Sequence, residues 1–110
     1  MTIIRTQGDT APPITYRFQS DDSPVDLSSV QDIRFIMEDN YESNIVESDL
    51  NGDVSIVDSA LGKVEYSLSS ADTEDSGQFY AEWEVTYSDG TIETFPSDDT
   101  IDIHIMEQLG

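Results

Sequence analysis

Apolar and polar side chains alternate along much of the chain with a period of two, the periodicity of a β-strand that buries one face. The pattern is longest between residues 78 and 87. One face of that stretch is apolar or aromatic and carries Phe79, Ala81, Trp83, Val85 and Tyr87. The opposite face is polar and acidic and carries Tyr80, Glu82, Glu84 and Thr86. We therefore predict a long strand in a sheet with one covered face and one wet face.

Eight further segments have strand patterns, and turn residues separate them roughly every ten residues. They cover residues 2–6, 14–19, 30–38, 45–48, 53–57, 63–67 and 91–95, and a final segment with Ile101, Ile103 and Ile105 on one face. Between residues 87 and 92, the pair Asp89-Gly90 predicts a hairpin with a two-residue turn. No stretch keeps a helical apolar stripe, although residues 69–75 are compatible with one short helical turn.

These elements predict one all-β domain over residues 1–110, an immunoglobulin-like β-sandwich of about seven or eight antiparallel strands. A small barrel is the alternative. The run Asp75-Ser76-Gly77 with an aromatic residue at 79 is typical of the point where such a domain crosses between its sheets. Two details differ from antibody domains: Phe79 lacks the hydroxyl of a tyrosine corner, and Ala81 stands where a disulfide cysteine would be.

Acidic residues dominate the charge of the chain. There are 24 Asp and Glu against four Lys and Arg, so the net charge is −20. Four cations scattered singly do not make a nucleic-acid surface, and we expect no nucleic-acid partner. A folded domain this acidic repels itself in dilute buffer, whereas the Debye length falls to ~3 Å at 1 M salt. With a single lysine, this composition indicates a halophilic source; an acidic patch made for a basic partner is the rival explanation.

Cysteine is absent, which excludes disulfides and thiolate metal sites. The first residues lack the apolar core of a signal peptide, and no later apolar run approaches the ~20 residues of a membrane span. We therefore expect a soluble protein made in the cytosol, with no membrane partner.

Candidate catalytic groups are sparse, and we predict that the protein is not an enzyme. His104 is the only histidine, and it lies on the polar face of the last predicted strand without a Gly-x-Ser-x-Gly turn. Carboxylate pairs of the kind that glycosidases use arise by chance among so many acids. The pairs in question are Asp21-Asp22, Asp98-Asp99 and Glu82/Glu84. No catalytic residue is assigned.

Residues 49–53 open like a calcium-binding loop, with oxygen-bearing side chains at alternate positions. The EF-hand pattern then requires Gly at its sixth place and Glu at its twelfth, where this chain has Val54 and Ala60. We predict a tight turn on Asn51-Gly52 instead, and assign no metal and no cofactor. Weak calcium or sodium binding by surface carboxylates stays open.

Aromatic side chains are the remaining candidates for binding. Trp83 lies on the apolar face of its strand, which favours core packing over a sugar platform. Tyr80 projects outward among acids and is the candidate interface anchor, while Tyr87 ends the inward row.

Four segments in order resemble the N-terminal immunoglobulin-like domain of the baseplate upper protein family of tailed phages and prophages. They are residues 7–14 (QGDTAPPI), Pro24-Val25-Asp26-Leu27 before residues 33–37 (IRFIM), residues 61–66 (LGKVEY), and residues 72–96, from Asp72-Thr73 through SGQFYAEWEV and Asp89-Gly90 to Thr94-Phe95-Pro96. The similarity extends from residue 7 to about residue 105.

The resemblance implies a virion structural module with no catalytic residues, found in baseplates, tail tips and other appendages. Its implied partners are other virion proteins and further copies of itself, and its implied location is the virion. Combined with the acidity, it indicates a virus or provirus of a haloarchaeon. Family members often have C-terminal domains for fibre attachment or host contact, so a chain ending at Gly110 favours a small adaptor, ring or decoration protein.

A receptor-binding or carbohydrate-binding module is the alternative function. Such a module would use loops at one end of the sandwich, such as residues 38–44 and 96–100. Those loops are rich in Asp, Asn and Ser, and Tyr41 is their only aromatic residue, which favours assembly over adhesion.

Overall fold

The alternating segments form strands in a computed structural model that describes residues 1–39, 44–97 and 99–109. Within these ranges there are eleven strands and no helix, and hence no helix that could span a membrane. In chain order the strands are β1 (Thr2–Thr6), β2 (Ile14–Arg17), β3 (Gln19–Ser20), β4 (Ser23–Pro24), β5 (Val30–Asp39), β6 (Asn44–Ser48), β7 (Val54–Asp58), β8 (Lys63–Tyr66), β9 (Gly77–Tyr87), β10 (Ile92–Phe95) and β11 (Ile101–Met106).

The larger of the two main sheets is built around β9, the predicted long strand. Its order is β1-β11-β9-β5-β6, and β10 pairs with β9 beside that path. Strand β5 runs antiparallel along one edge of β9, so that Phe35 lies opposite Trp83. On the other edge, β11 pairs with the first half of β9 and β10 with the second half.

The smaller sheet has the order β2-β8-β7 and is antiparallel throughout. Strands β3 and β4 form a separate two-stranded hairpin, which the sequence pattern did not predict. Its turn holds Asp21 and Asp22 at φ 50° and 64°, a left-handed conformation that Asp tolerates better than most residues.

A core rich in aromatic residues fills the space between the two sheets. Trp83 is fully buried, and its ring centroid lies 4.9 Å from that of Phe35 and 5.9 Å from that of Phe18. Phe35 in turn stacks on Tyr66 of the smaller sheet at 4.6 Å. The predicted β-sandwich and the predicted core position of Trp83 are therefore both confirmed.

Three local predictions need correction. Strand β1 pairs with β11 in parallel, whereas we expected antiparallel strands throughout. The hairpin after β9 has a three-residue loop, Ser88 to Gly90, because the Tyr87 N–H donates to the Thr91 carbonyl at 2.9 Å and Gly90 takes a positive φ of 89°. In the segment 69–75, residues 70–73 form hydrogen-bonded turns and residues 74–75 a bend, and no helical turn forms.

Gly62 fixes the point where β8 begins. Its φ is +67°, and a Cβ atom there would lie 2.7 Å from the carbonyl oxygens of both Phe18 and Val25. The Gly62 carbonyl accepts a hydrogen bond from the Phe18 N–H at 2.8 Å. Only glycine combines this conformation with this close approach of backbone to backbone.

Candidate interaction surfaces

The outer side of the large sheet is lined with carboxylates. We call it the acidic face and define it by Glu38, Glu47, Glu82, Glu84 and Asp102, which alternate with the buried residues of β5, β6, β9 and β11. The strand register places these acids in neighbouring rows, with Tyr80 between Glu38 and Asp102. Alternation thus puts the apolar half of each strand in the core and collects the acids on one surface.

Arg34 neutralises one end of the acidic face. Its guanidinium forms ion pairs with Glu47 and with Glu84, the latter at 3.2 Å. Burial opposes the charge on Arg34, but the charges and hydrogen bonds of Glu84 and Glu47 outweigh it and raise the pKa of the guanidinium. In the described part of the chain, Glu38, Glu82 and Asp102 form no ion pair with a Lys or Arg side chain.

A small recess lies in the acidic face, with a volume of about 90 Å³. It is lined by Ile36, Glu38, Tyr80, Ala81, Glu82 and Thr100. Ile36 is only 8% exposed, whereas Tyr80 is 37% exposed. The predicted outward position of Tyr80 is confirmed, and the recess gives this side chain an apolar neighbour and two carboxylates.

Two cations lie opposite each other on the outer side of the small sheet. Arg17 of β2 faces Lys63 of β8 in the antiparallel register, and we call this surface, with Thr15 and Glu65, the small-sheet face. A concavity of about 320 Å³ is lined in part by Arg17, Lys63 and Thr15. We expected the cations to be scattered singly, and the pairing of β2 with β8 corrects that expectation for these two.

The other cations are occupied within the chain. The Arg5 guanidinium donates to the Pro12 and Pro13 carbonyls at 3.1 and 3.4 Å, and Arg34 holds its two glutamates. Arg17 and Lys63 form no ion pair with any described residue. Half of the four Lys and Arg side chains of the protein therefore point to solvent from one surface.

The candidate catalytic groups do not assemble into a site within the described residues. His104 is exposed on β11, and its Nδ1 lies 3.3 Å from the Gln78 side-chain oxygen. Asp21 and Asp22 serve the β3–β4 turn. Glu82 and Glu84 lie two residues apart on one strand face, where they point in parallel and do not confront each other across a cleft.

The described ranges contain no group of three or more His, Asp or Glu side chains placed to hold a metal ion. The segment from Asp49 to Asp53 forms the predicted tight turn. The Asp49 carboxylate accepts from the Asn51 N–H at 3.0 Å, and the Asp49 carbonyl accepts from the Gly52 N–H at 2.9 Å. These oxygens are thus used by the turn itself.

Two tyrosines bind carboxylates, one in each sheet. The Tyr66 hydroxyl donates to Asp72 at 2.7 Å, and the Tyr87 hydroxyl donates to Glu93 at 2.7 Å. Burial and the adjacent carboxylate raise the pKa of Tyr66 well above its usual value, and the same two causes raise the pKa of Tyr87 to about 12. Both hydroxyls act as structural donors.

The loop residues considered for sugar binding are only partly described. Tyr41 and Asp98 lie outside the described residues, as does the whole segment between β5 and β6, residues 40–43.

Comparison with known proteins gives a fold and no family. No family model matches the chain, and no curated protein matches it. Among solved structures, the chain is similar to CopC from Methylosinus trichosporium OB3b, with a TM-score of 0.57 and 12% sequence identity. That match covers 99% of this chain and 87% of CopC. At this identity the likeness concerns the β-sandwich fold alone.

Proposed function

We propose that this chain is a non-enzymatic assembly module whose sheet faces dock on neighbouring protein subunits. The setting we propose is the one its sequence resemblance implies, the baseplate, tail or another appendage of a tailed virus, in this case one of a haloarchaeon. The observation that carries the proposal is the recess at Tyr80. It combines an exposed aromatic ring, an apolar floor and flanking carboxylates, which is the composition of an interface anchor.

The size of the recess favours a protein partner over a small-molecule ligand. Sites for small molecules usually enclose about 300–1,000 Å³. The recess holds about 90 Å³, which suits one side chain from another protein. A surface that accepts single side chains is what an assembly module needs, and it requires no catalytic group.

The charge of the chain sets the conditions for assembly. A subunit with a net charge of −20 approaches a similar neighbour against strong repulsion in dilute buffer. Salt near 1 M shortens the Debye length to about 3 Å and removes most of that repulsion, while contacts made at short range persist. The acidity therefore suits assembly in a salt-rich cytoplasm.

Mass spectrometry of intact particles tests the proposal. Particles of the virus or induced provirus that encodes this chain would be purified on a high-salt density gradient. We expect the chain to follow the particle band through the gradient, at a stoichiometry comparable to that of other tail or capsid proteins. Its absence from a band that retains the other structural proteins would overturn the virion assignment.

A further inference from the structure

We propose that the partner for the small-sheet face is a second copy of this chain, whose acidic face receives Arg17 and Lys63, one of them in the recess at Tyr80. The inference rests on the proposed assembly function and specifies one contact within it. Subunits would then associate head to tail, each offering its cations to one neighbour and its recess to another. The proposal depends on what each of the two faces leaves unpaired.

On the small-sheet face, two cations form no ion pair within the described residues. Like charges directly opposite each other on adjacent strands destabilise a sheet, and Arg17 and Lys63 occupy such a position. Asp58 of β7 lies opposite Lys63 in the register, and Glu65 lies two residues from Lys63 on β8, yet neither carboxylate forms an ion pair with Arg17 or Lys63. Within the described residues, no carboxylate forms an ion pair with either cation, and a partner can supply one.

On the acidic face, the unpaired groups are carboxylates. Glu38 and Glu82 line the recess, and Arg34 is already engaged by Glu47 and Glu84. Ile36 contributes an apolar surface, and Tyr80 contributes an aromatic ring. An aliphatic stem that ends in a cation satisfies all three features, since the stem packs on apolar surface and the head binds carboxylates and the ring face. Lysine and arginine are the side chains of this kind.

The position of the two faces determines the type of assembly. They are the outer surfaces of two sheets packed on a common core, so they lie on opposite sides of the sandwich. A contact between different surfaces of identical subunits is heterologous, and it generates a ring where the rotation closes and an open stack where it does not. The same contact replaces acid–acid repulsion between neighbours with attraction at the points of closest approach.

Two complementary variants test this contact. Arg17→Gln/Lys63→Gln removes the cations and keeps the recess, whereas Glu38→Gln/Glu82→Gln removes the recess carboxylates and keeps the cations. Sedimentation equilibrium of each protein would be compared with the parent chain in KCl at about 1 M, where long-range repulsion is screened. We expect the parent chain to form oligomers and each variant to associate at least about tenfold more weakly.

A charge-matched control separates the contact from the net charge. Gln31 and Gln108 are exposed and lie outside both faces. Gln31→Glu/Gln108→Glu lowers the net charge by two, as does Arg17→Gln/Lys63→Gln, and we expect it to associate like the parent chain. Circular dichroism and the fluorescence of buried Trp83 verify that every variant is folded.

Mixing the two variants gives the decisive result. The cation-deficient variant retains a recess and the recess-deficient variant retains cations, so an equimolar mixture should form one-to-one dimers and nothing larger. A parent chain that stays monomeric at all KCl concentrations, or folded variants that associate as the parent does, would overturn the inference. If the parent chain forms oligomers but does not follow the virus particles through the gradient, the proposed virion function alone is contradicted. If the chain follows the particles but the parent chain does not form oligomers, this contact alone is contradicted.

Discussion

The two sheets of this sandwich share one core and present opposite surfaces. The large sheet turns its carboxylates outward in adjacent rows and offsets only Glu47 and Glu84 with Arg34. The small sheet has its two cations side by side, with no ion pair among the described residues. Strand alternation explains why both inner faces are apolar, and it leaves the composition of each outer face free to serve other purposes.

The inner faces of the two sheets determine the stability of the fold, and the outer faces are available for interaction with other molecules. Both inner faces contribute to a single aromatic cluster, in which Phe35 of the large sheet stacks on Tyr66 of the small sheet. Neither outer face contributes in this way, because exposed ion pairs add at most about 1 kcal/mol each. The core therefore holds the sandwich together, and changes to the outer faces should alter association and salt response more than folding.

Gly62→Ala should have the largest effect, because the backbone of Phe18 and Val25 packs closely against Gly62 at the start of β8. The added Cβ would meet two backbone carbonyl oxygens at 2.7 Å in a left-handed conformation. We expect a loss of about 2 to 4 kcal/mol in the free energy of unfolding. Urea unfolding followed by Trp83 fluorescence measures it.

Gly8→Ala is the matched control for this substitution. Gly8 also has a positive φ, 84°, but a Cβ there would meet nothing within 4 Å. The left-handed conformation alone should cost about 1 to 2 kcal/mol. Equal losses at the two positions would show that backbone conformation, and not the close approach of the Phe18 and Val25 backbone, makes Gly62 necessary.

Tyr66→Phe and Tyr87→Phe compare the tyrosine–carboxylate hydrogen bonds of the two sheets. Tyr66 is 3% exposed and donates to Asp72, so its substitution should cost about 1 to 2 kcal/mol at pH 8. Tyr87→Phe, at a more exposed site in the large sheet, should cost less. Unfolding in urea at pH 8 measures both losses.

The contribution of the Tyr66 hydroxyl to the free energy of unfolding should decrease at alkaline pH. The folded pKa of Tyr66 lies above its ordinary value of about 10, so the stabilisation is complete below pH 10 and is lost as pH rises above it. The loss of stability between pH 10 and pH 11 should therefore be steeper in the parent chain than in Tyr66→Phe. Parallel curves for the two proteins would show that the hydroxyl is not the titrating group.

Local periodicity predicted most of the strands, because a buried face imposes its period on the residues that form it. Strands β1, β5 and β9 lie within one residue of their predicted bounds. Two features escaped prediction for a physical reason. The β3–β4 hairpin is too short to show a period, and the parallel pairing of β1 with β11 joins the two ends of the chain, which no local pattern encodes.

The candidate surfaces were only partly predictable. Tyr80 was found because an aromatic residue at an outward position stands out against its acidic neighbours. Ile36 gives a similar signal, an apolar residue between the inward-facing Phe35 and Met37, and it marks the floor of the recess. The opposition of Arg17 and Lys63 depends on the register between β2 and β8, which the sequence alone does not fix.

Glu82→Gln should produce the smallest effect and the sharpest contrast between the two outer faces. Glu82 lies among unpaired acids of the large sheet, so neutralising it in dilute buffer should raise the free energy of unfolding by about 0.3 to 0.5 kcal/mol. Glu65→Gln on the small-sheet face makes the same chemical change beside Arg17 and Lys63. Its gain should be smaller, because relief of acid–acid repulsion is offset by lost attraction to the cations. Urea unfolding at low KCl measures the difference, and about 1 M KCl should abolish it by screening. A difference that survives high salt would mean that packing, and not charge, distinguishes the two faces.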